Sequence, residues 1–407
     1  MKFFLYTIAI FIAINSIGCK GDYIPPPAVT QCSASLKLDT IWQVQLDTNI
    51  ISEIFGVNPQ VINNQLIYYV SKFPDSGPPY YAIESRNTKT GEIVFTKKFN
   101  QRYNIYTGPF VTYANKLYYP NDSVEGLYFF DLQNQIEEKY TLPSPLFNSV
   151  LKQLGEMVFG CTQNLKDSTV SFFSFSLKTK AFNIFNTLKR KFYSYDYPYE
   201  DIQPFISAIG DTLLYYSTGR IEDIDGINYH AGEYNLSKKN YNFDKKLGFK
   251  GDKKLFYTQH NTKNIFFRNN DDHSPYFFSI DAYKGDTILN VFEPQNGFFK
   301  LYDNNVYIAN YQKGLSTFDA ETGFLKWNNF GFPLIEIYSK IEIVDDLLFV
   351  GSQKTLTIAD VSSGCIHNNI VFKNLTSNYY SIKFCLDKPN RLLYIFGSDY
   401  KLTCMKF

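Results

Sequence analysis

Histidine is scarce in this chain, with four residues in 407, and tryptophan is scarcer, with two. His230, His260, His273 and His367 form no H-E-x-x-H motif or close pair, and none stands beside a G-x-S-x-G elbow. That removes the common signatures of zinc proteases and serine hydrolases. The six cysteines include no adjacent pair, no C-x-x-C redox pair and no C-x-x-C-H haem site. An excess of one charge is lacking too, since Lys+Arg at 40 against Asp+Glu at 39 leaves +1. No global field then steers the chain onto nucleic acid, and Lys189-Arg190-Lys191 is too short a run to change that.

What the chain does have is aromatic mass: 33 Tyr and 38 Phe, within 44% hydrophobic residues, favour pleated, half-buried strands over helices. The N-terminus reads as an export signal, residues 1–18, with Met1-Lys2 ahead of the apolar run Phe3 to Ile14, which is too short to span a bilayer comfortably. Ser16-Ile17-Gly18-Cys19 resembles a lipobox, although Ser16 stands where Leu is usual, and makes Cys19 the expected lipidated residue. Acyl chains at about 0.8 kcal/mol per buried CH₂ would hold such a protein on a membrane. Residues 19–33, with Pro25-Pro26-Pro27, read as a stiff spacer, and Lys20 and Asp22 resemble a sorting signal toward the outer membrane or cell surface of a Gram-negative cell. After export, Cys32, Cys161, Cys365, Cys385 and Cys404 would meet an oxidising compartment. The odd count leaves at least one unpaired; Cys385 and Cys404, in neighbouring expected strands, are either bridged or buried free thiols.

The remainder, residues 34–407, is a decaying repeat. Gly314 to Phe330, GLSTFDAETGFLKWNNF, reads as a hairpin: an alternating strand, an Asp that caps a tight turn, a Thr-Gly turn and a second strand. Asn304-Asn305-Val306-Tyr307-Ile308-Ala309 supplies the strand before it. Copies of that central strand begin near Leu66, Leu117, Met157, Leu213, Ile265, Val306, Leu347 and Leu392. Intervals of about 40 to 56 residues suit four-stranded propeller blades, for which roughly 40 to 50 are expected. The expected fold is therefore all-β: an eight-bladed β-propeller, seven-bladed if one diverged unit is misread, with four-stranded antiparallel blades. Thr40 to Leu46 alternates like an outermost strand and would close the ring against the C-terminal strands.

FDAETGFLKW, Phe318 to Trp327, and NTKTGEIVF, Asn87 to Phe95, resemble the repeat of the pyrroloquinoline-quinone dehydrogenase-like propellers. The likeness covers roughly Leu36 to Phe407, strongly in one repeat and weakly in the others. The family holds cofactor-dependent alcohol dehydrogenases and cofactor-free members such as the lipoprotein scaffold of the outer-membrane β-barrel assembly machine. The resemblance implies that the Trp four residues after the repeat Gly packs between blades. Trp327 matches that position, Phe95 and Leu289 replace it, and Asn368 departs. The quinone-dependent members need a vicinal disulfide, a Trp platform, a Ca²⁺ ligand set and a catalytic Asp. With no adjacent cysteines, and with Trp42 and Trp327 in expected blade strands, the chain is expected to hold no cofactor and to be no enzyme.

Few residues suggest a site. Asp223 and Asp225, in Glu222 to Asn228, offer oxygen ligands near a glycine but lack the spacing and closing Glu of a calcium loop, so the segment reads first as a hairpin loop. His273 reads as a solvated turn residue. Tyr193, Tyr195, Tyr197 and Tyr199, with Pro198, are either a strand with an inter-blade crossing or an exposed platform for sugar rings or a partner. The expectation is a membrane-anchored, non-enzymatic scaffold that binds another envelope protein. Binding of a surface polysaccharide, or a quinoprotein-like enzyme, are the alternatives.

Overall fold

A computed structural model describes residues 31–407 except 47–58, 73–79, 100–109, 122–125, 142–150, 165–168, 190–200, 207–209, 224–225, 251–254, 261–263, 270–275, 282–286, 293–297, 311–313, 334–339, 353, 373–381 and 398–400. The described strands form eight four-stranded antiparallel sheets. Strand β1 (Asp39–Gln45) stands apart from its sequence neighbours. Next come β2 (Gln60–Ile62), β3 (Gln65–Lys72), β4 (Tyr80–Asn87) and β5 (Ile93–Phe99), then β6 (Val111–Tyr113), β7 (Lys116–Asn121), β8 (Gly126–Asp131) and β9 (Glu137–Thr141). The third sheet is β10 (Lys152–Leu154), β11 (Met157–Asn164), β12 (Thr169–Ser176) and β13 (Phe182–Lys189), and the fourth β14 (Asp201–Ile206), β15 (Thr212–Asp223), β16 (Gly226–Asn235) and β17 (Asn240–Lys250). They are followed by β18 (Leu255–His260), β19 (Asn264–Asn269), β20 (Tyr276–Asp281) and β21 (Thr287–Phe292), and by β22 (Phe298–Tyr302), β23 (Asn305–Asn310), β24 (Gly314–Asp319) and β25 (Leu325–Asn329). The seventh sheet is β26 (Ile341–Val344), β27 (Leu347–Gly351), β28 (Thr355–Asp360) and β29 (Ile366–Val371). In the last, β30 (Lys383–Asp387), β31 (Leu392–Phe396) and β32 (Lys401–Lys406) are completed by β1, which pairs antiparallel with β32 from Asp39↔Lys406 to Gln45↔Lys401. Each of the eight repeat markers read from the sequence lies at the start of its sheet's second strand, the weaker copies at Met157, Leu213 and Leu392 included.

Local chemistry explains the hairpins. Three of the turns between first and second strands hold two consecutive left-handed residues, Asn63-Asn64, Ala114-Asn115 and Asp303-Asn304, the geometry that matches strand twist in two-residue turns. At the other end of the sheet, the third strand closes on a side chain that caps the next turn. Asn87 Oδ1 accepts from the Lys89 N–H at 2.8 Å, Asp131 Oδ1 from Gln133 and Asn134, each at 2.9 Å, and Asp319 Oδ1 from Glu321 at 3.0 Å and Thr322 at 2.9 Å. Asp360 repeats it with the Ser363 N–H, and Ser176 with Thr179. Four residues after each cap the chain is left-handed, at Gly91, Gln135, Lys180, Gly323 and Gly364. Asp319 shows the electrostatic side of this turn. The Thr322 N–H above all, with Lys326 at 3.0 Å, the Thr322 hydroxyl and the Glu321 N–H, outweighs partial burial and holds its carboxyl at about 2. Asp319→Ala is expected to cost about 1 kcal/mol, the usual loss for a side-chain cap. Because the folded value lies below the unfolded value of about 3.9, that contribution is complete above pH 4 and fades as pH falls to about 2. Thermal melts of both proteins should therefore converge across that window.

The core lies between sheets. Ile67, Tyr69, Ile83 and Phe95 of sheet β2–β5 meet Leu117 and Phe130 of sheet β6–β9, and Val111, Tyr118 and Phe129 of that sheet meet Val158, Phe173 and Phe175 of sheet β10–β13. Phe159 and Phe172 of sheet β10–β13 meet Leu214 and Tyr234 of sheet β14–β17. Tyr307, Leu315 and Trp327 meet Ile341, Leu348 and Ile366 between sheets β22–β25 and β26–β29, and Phe349 and Ile358 meet Phe384, Leu393 and Phe407 beyond it. Leu66, Tyr68 and Val70 then join Tyr394, Phe396, Leu402 and Cys404, so residues near the two ends of the chain share one cluster. First strands touch first strands, β10 with β14, β14 with β18, β18 with β22, β22 with β26, and β30 with β2.

The two tryptophans do one job. The Trp327 ring lies on Gly364, where an added Cβ would fall 2.4 Å from a ring carbon, and its indole N–H reaches the Val361 carbonyl at 3.3 Å. Trp42, on β1, lies on Gly91 in the same way, with 2.7 Å to the same imagined atom, and donates to the Thr88 carbonyl at 2.8 Å. The packing role that the resemblance implied for Trp327 is thus present, and Trp42 shares it. Phe95 substitutes by packing on Phe130, ring centroids 5.2 Å apart.

Candidate interaction surface

Asn368 departs from the repeat because it serves another partner. Its Nδ2 donates to the Leu36 carbonyl at 3.1 Å and its Oδ1 accepts the Leu36 N–H at 2.9 Å, so one amide stands in for a strand along the edge of β29. Gln31 bridges Ile366 in parallel, the Cys32 N–H donates to the Ile366 carbonyl at 3.0 Å, and His367 Nδ1 lies 3.0 Å from the Ala34 carbonyl. Leu36 and Leu38 pack on the cluster beneath. A disulfide between Cys32 and Cys365 fastens this segment, across 333 residues of sequence. The clasp therefore begins inside the stretch read as spacer. Cys385 and Cys404 are buried free thiols, the second of the two arrangements that the sequence left open, and burial pushes both up to about 12.

Cys32, Cys365 and His367 bring their ligand atoms within 4.8 Å of one another, a grouping the sequence could not reveal because the two cysteines lie at opposite ends of the chain. With both sulfurs in the disulfide, the trio has no thiolate to offer a metal. Among the earlier candidates, Cys19, Tyr193, Tyr195, Tyr197, Tyr199, Asp225 and His273 lie outside the described residues. Asp223 ends β15, where its backbone pairs with Gly226.

The strap covers part of the edge of β29; other outer strands present apolar side chains to water. Phe324 and Phe330, 74% and 67% exposed, bracket β25. Val371 ends β29, Ile136 precedes β9, and Ile93 opens β5, all more than half exposed. The cause is local. The residues after the left-handed turn position enter the outer strand where, among the described residues, no further strand covers them. Single exposed apolar residues are ordinary, but two phenylalanines flanking one uncovered edge strand form a surface that can lose water against a partner.

No family model matches the sequence, and no curated protein matches it. Among solved structures, the chain is similar to BamB from Moraxella catarrhalis, with a TM-score of 0.54 and 13% sequence identity over 91% of this chain and 100% of that one. At that identity the likeness speaks to architecture alone: the chain has the fold of a PQQ-like β-propeller.

Proposed function

We propose that this protein is a non-enzymatic scaffold of the bacterial envelope, an eight-bladed ring closed by β1 on β32 and carried on a lipid at Cys19, which docks on another envelope protein through its outer strands. The observation that carries the reading is the pair Phe324 and Phe330 on the edge of β25. The eight four-stranded sheets and the cluster uniting Tyr68 with Phe396 support the ring, and the fold shared with BamB supports the docking role. Aromatic anchors at a rim next to unpaired strand edges suit both hydrophobic docking and strand addition.

The test is site-specific photocrosslinking in intact cells, with a benzophenone side chain in place of Phe324 or Phe330 and, as control, in place of Lys178 on an exposed turn. A single envelope protein captured from 324 and 330 and not from 178 is expected. Equal capture from all three positions, or retention of the purified protein on a polysaccharide column with no protein captured, would overturn the reading.

A further inference from the structure

Ionisable residues are unevenly distributed over the first strands of the sheets, those that touch one another around the fold. Lys300 lies on β22, Lys340 immediately before β26 with Glu342 within it, and Lys383 opens β30 with Lys388 just past its end. The next first strands, β2 with Gln60-Val61-Ile62 and β6 with Val111-Thr112-Tyr113, bring no carboxylate. Across three consecutive sheets, four lysines thus stand with two carboxylates inside the strands, Glu342 and the buried Asp387, the latter accepting from the Asn390 side chain at 2.8 Å. Asp303 and Asp345 follow the ends of β22 and β26, and Asp345 pairs with Arg391 at 2.6 Å.

The positions are fixed by packing. On β30, Lys383 and Cys385 share a face, while Phe384 on the opposite face is fully buried against Phe349 and Ile395. Lys340 pairs with Glu342 at 2.9 Å, reaches the Phe384 carbonyl at 3.5 Å and sits 5.3 Å from the centre of the Phe384 ring, which brings its charge beside Lys383. Lys388 is occupied by the Ile343 carbonyl at 3.0 Å. Burial alone would raise the Glu342 carboxyl, yet Lys340, Lys300 and Lys388 hold it below its ordinary value, so the glutamate is ionised and its charge already shared among three lysines. The Lys383 side chain has neither a hydrogen bond nor an ion pair among the described residues. Burial first, and Lys340 second, push its ammonium down to about 8. A part-buried ammonium left without a partner is unfavourable unless an anion meets it.

We infer that Lys300, Lys340 and Lys383, on the first strands of three successive sheets, form a binding site for an oxyanion of the phosphate or carboxylate kind. Lys383 supplies the unpaired ammonium, Lys340 donates to the anion from its position between Glu342 and the Phe384 carbonyl, and Lys300 adds charge from the sheet before. The site is independent of the docking edge on β25 and stands whether or not that edge binds a protein.

The test is calorimetric titration of the intact mature protein with inorganic phosphate, against sodium chloride at matched ionic strength, in the wild type and in Lys383→Met, Lys300→Met and Lys326→Met. The methionines keep the apolar stems and remove the charge, and Lys326 on the outer strand β25 controls for bulk charge. Saturable phosphate binding, weakened at least tenfold in Lys383→Met and Lys300→Met but unchanged in Lys326→Met, is the expected result. No saturable binding, an equal response to chloride, or equal loss in Lys326→Met overturns the site. Should Lys383→Met fail to fold, Lys300→Met on a different strand decides the matter by the same criteria.

Discussion

Gly364→Ala should destabilise the fold as severely as removal of the tryptophan it carries, by about 3–5 kcal/mol, the range for Trp→Ala in a core. Two effects act together at this position. Its φ of +70° is one that a side chain with a Cβ adopts at a cost of roughly 1–2 kcal/mol, and the new methyl would fall 2.4 Å from the Trp327 ring, so the indole must leave its seat. Losing the seat also breaks the indole donation to Val361 and disturbs Asn329, whose side-chain amide donates to the Gly364 carbonyl at 2.8 Å. A double-mutant cycle by urea unfolding checks the argument. Gly364→Ala and Trp327→Ala should be far from additive, with at least about 2 kcal/mol of coupling, because either alone empties the same site. Simple additivity would mean that the glycine and the tryptophan matter separately. The same cycle on Gly91 and Trp42 should give a similar coupling, since that pair repeats the geometry at the junction between β1 and sheet β2–β5.

Reduction of the Cys32–Cys365 disulfide, or Cys32→Ser, should lower stability by about 2–4 kcal/mol, with a chain-entropy ceiling of roughly 5–6 kcal/mol for so long a loop. The bond joins positions 333 residues apart, so the unfolded chain gains much freedom when it is lost, while the Asn368 amide and the Ile366 bridge still hold the strap in the folded state. Urea unfolding with and without reductant measures the difference, and Cys32→Ser should match the reduced wild type. Alkylation with peptide mapping supplies a second readout. Cys32 and Cys365 become labelled on reduction of the folded protein, whereas Cys385 and Cys404, buried and with thiols raised to about 12, react only after unfolding. Rapid labelling of Cys404 in the folded state would contradict its burial against Tyr394 and Leu402.

The features legible in the sequence are those written within one repeat. Alternation, the Asp-x-x-x-Gly turn and the spacing near Leu66, Leu117 and Val306 are local, and each marks a real second strand. Even the outer-strand character of Thr40 to Leu46 shows in its alternation, and β1 occupies that stretch. Relations that depend on which repeats become neighbours were not legible. Trp42 has no repeat glycine four residues before it, because β1 completes a sheet whose other strands lie at the far end of the sequence and no turn from a third strand leads into it. Cys32 and Cys365 gave no sign of partnership, since the strap that unites them skips the whole fold. Asn368 looked like decay and is a hydrogen-bonding edge. Lys300, Lys340 and Lys383 stand about one repeat apart, and that spacing brings them together because equivalent positions of successive sheets line up on adjoining first strands. The aromatic run from Tyr193 to Tyr199 lies outside the described residues, so its exposed-platform reading rests on sequence alone.

The strap also decides how the molecule bears tension. Between β1 and β32 the two ends of the fold meet through hydrogen bonds and side-chain packing with no covalent link, and a ladder pulled from its terminus unzips one rung at a time. Any pull on the chain ahead of Cys32 is received instead by a covalent bond into sheet β26–β29, at Cys365. The seam lies downstream of that bond and out of the line of load, like a stitched hem behind a rivet.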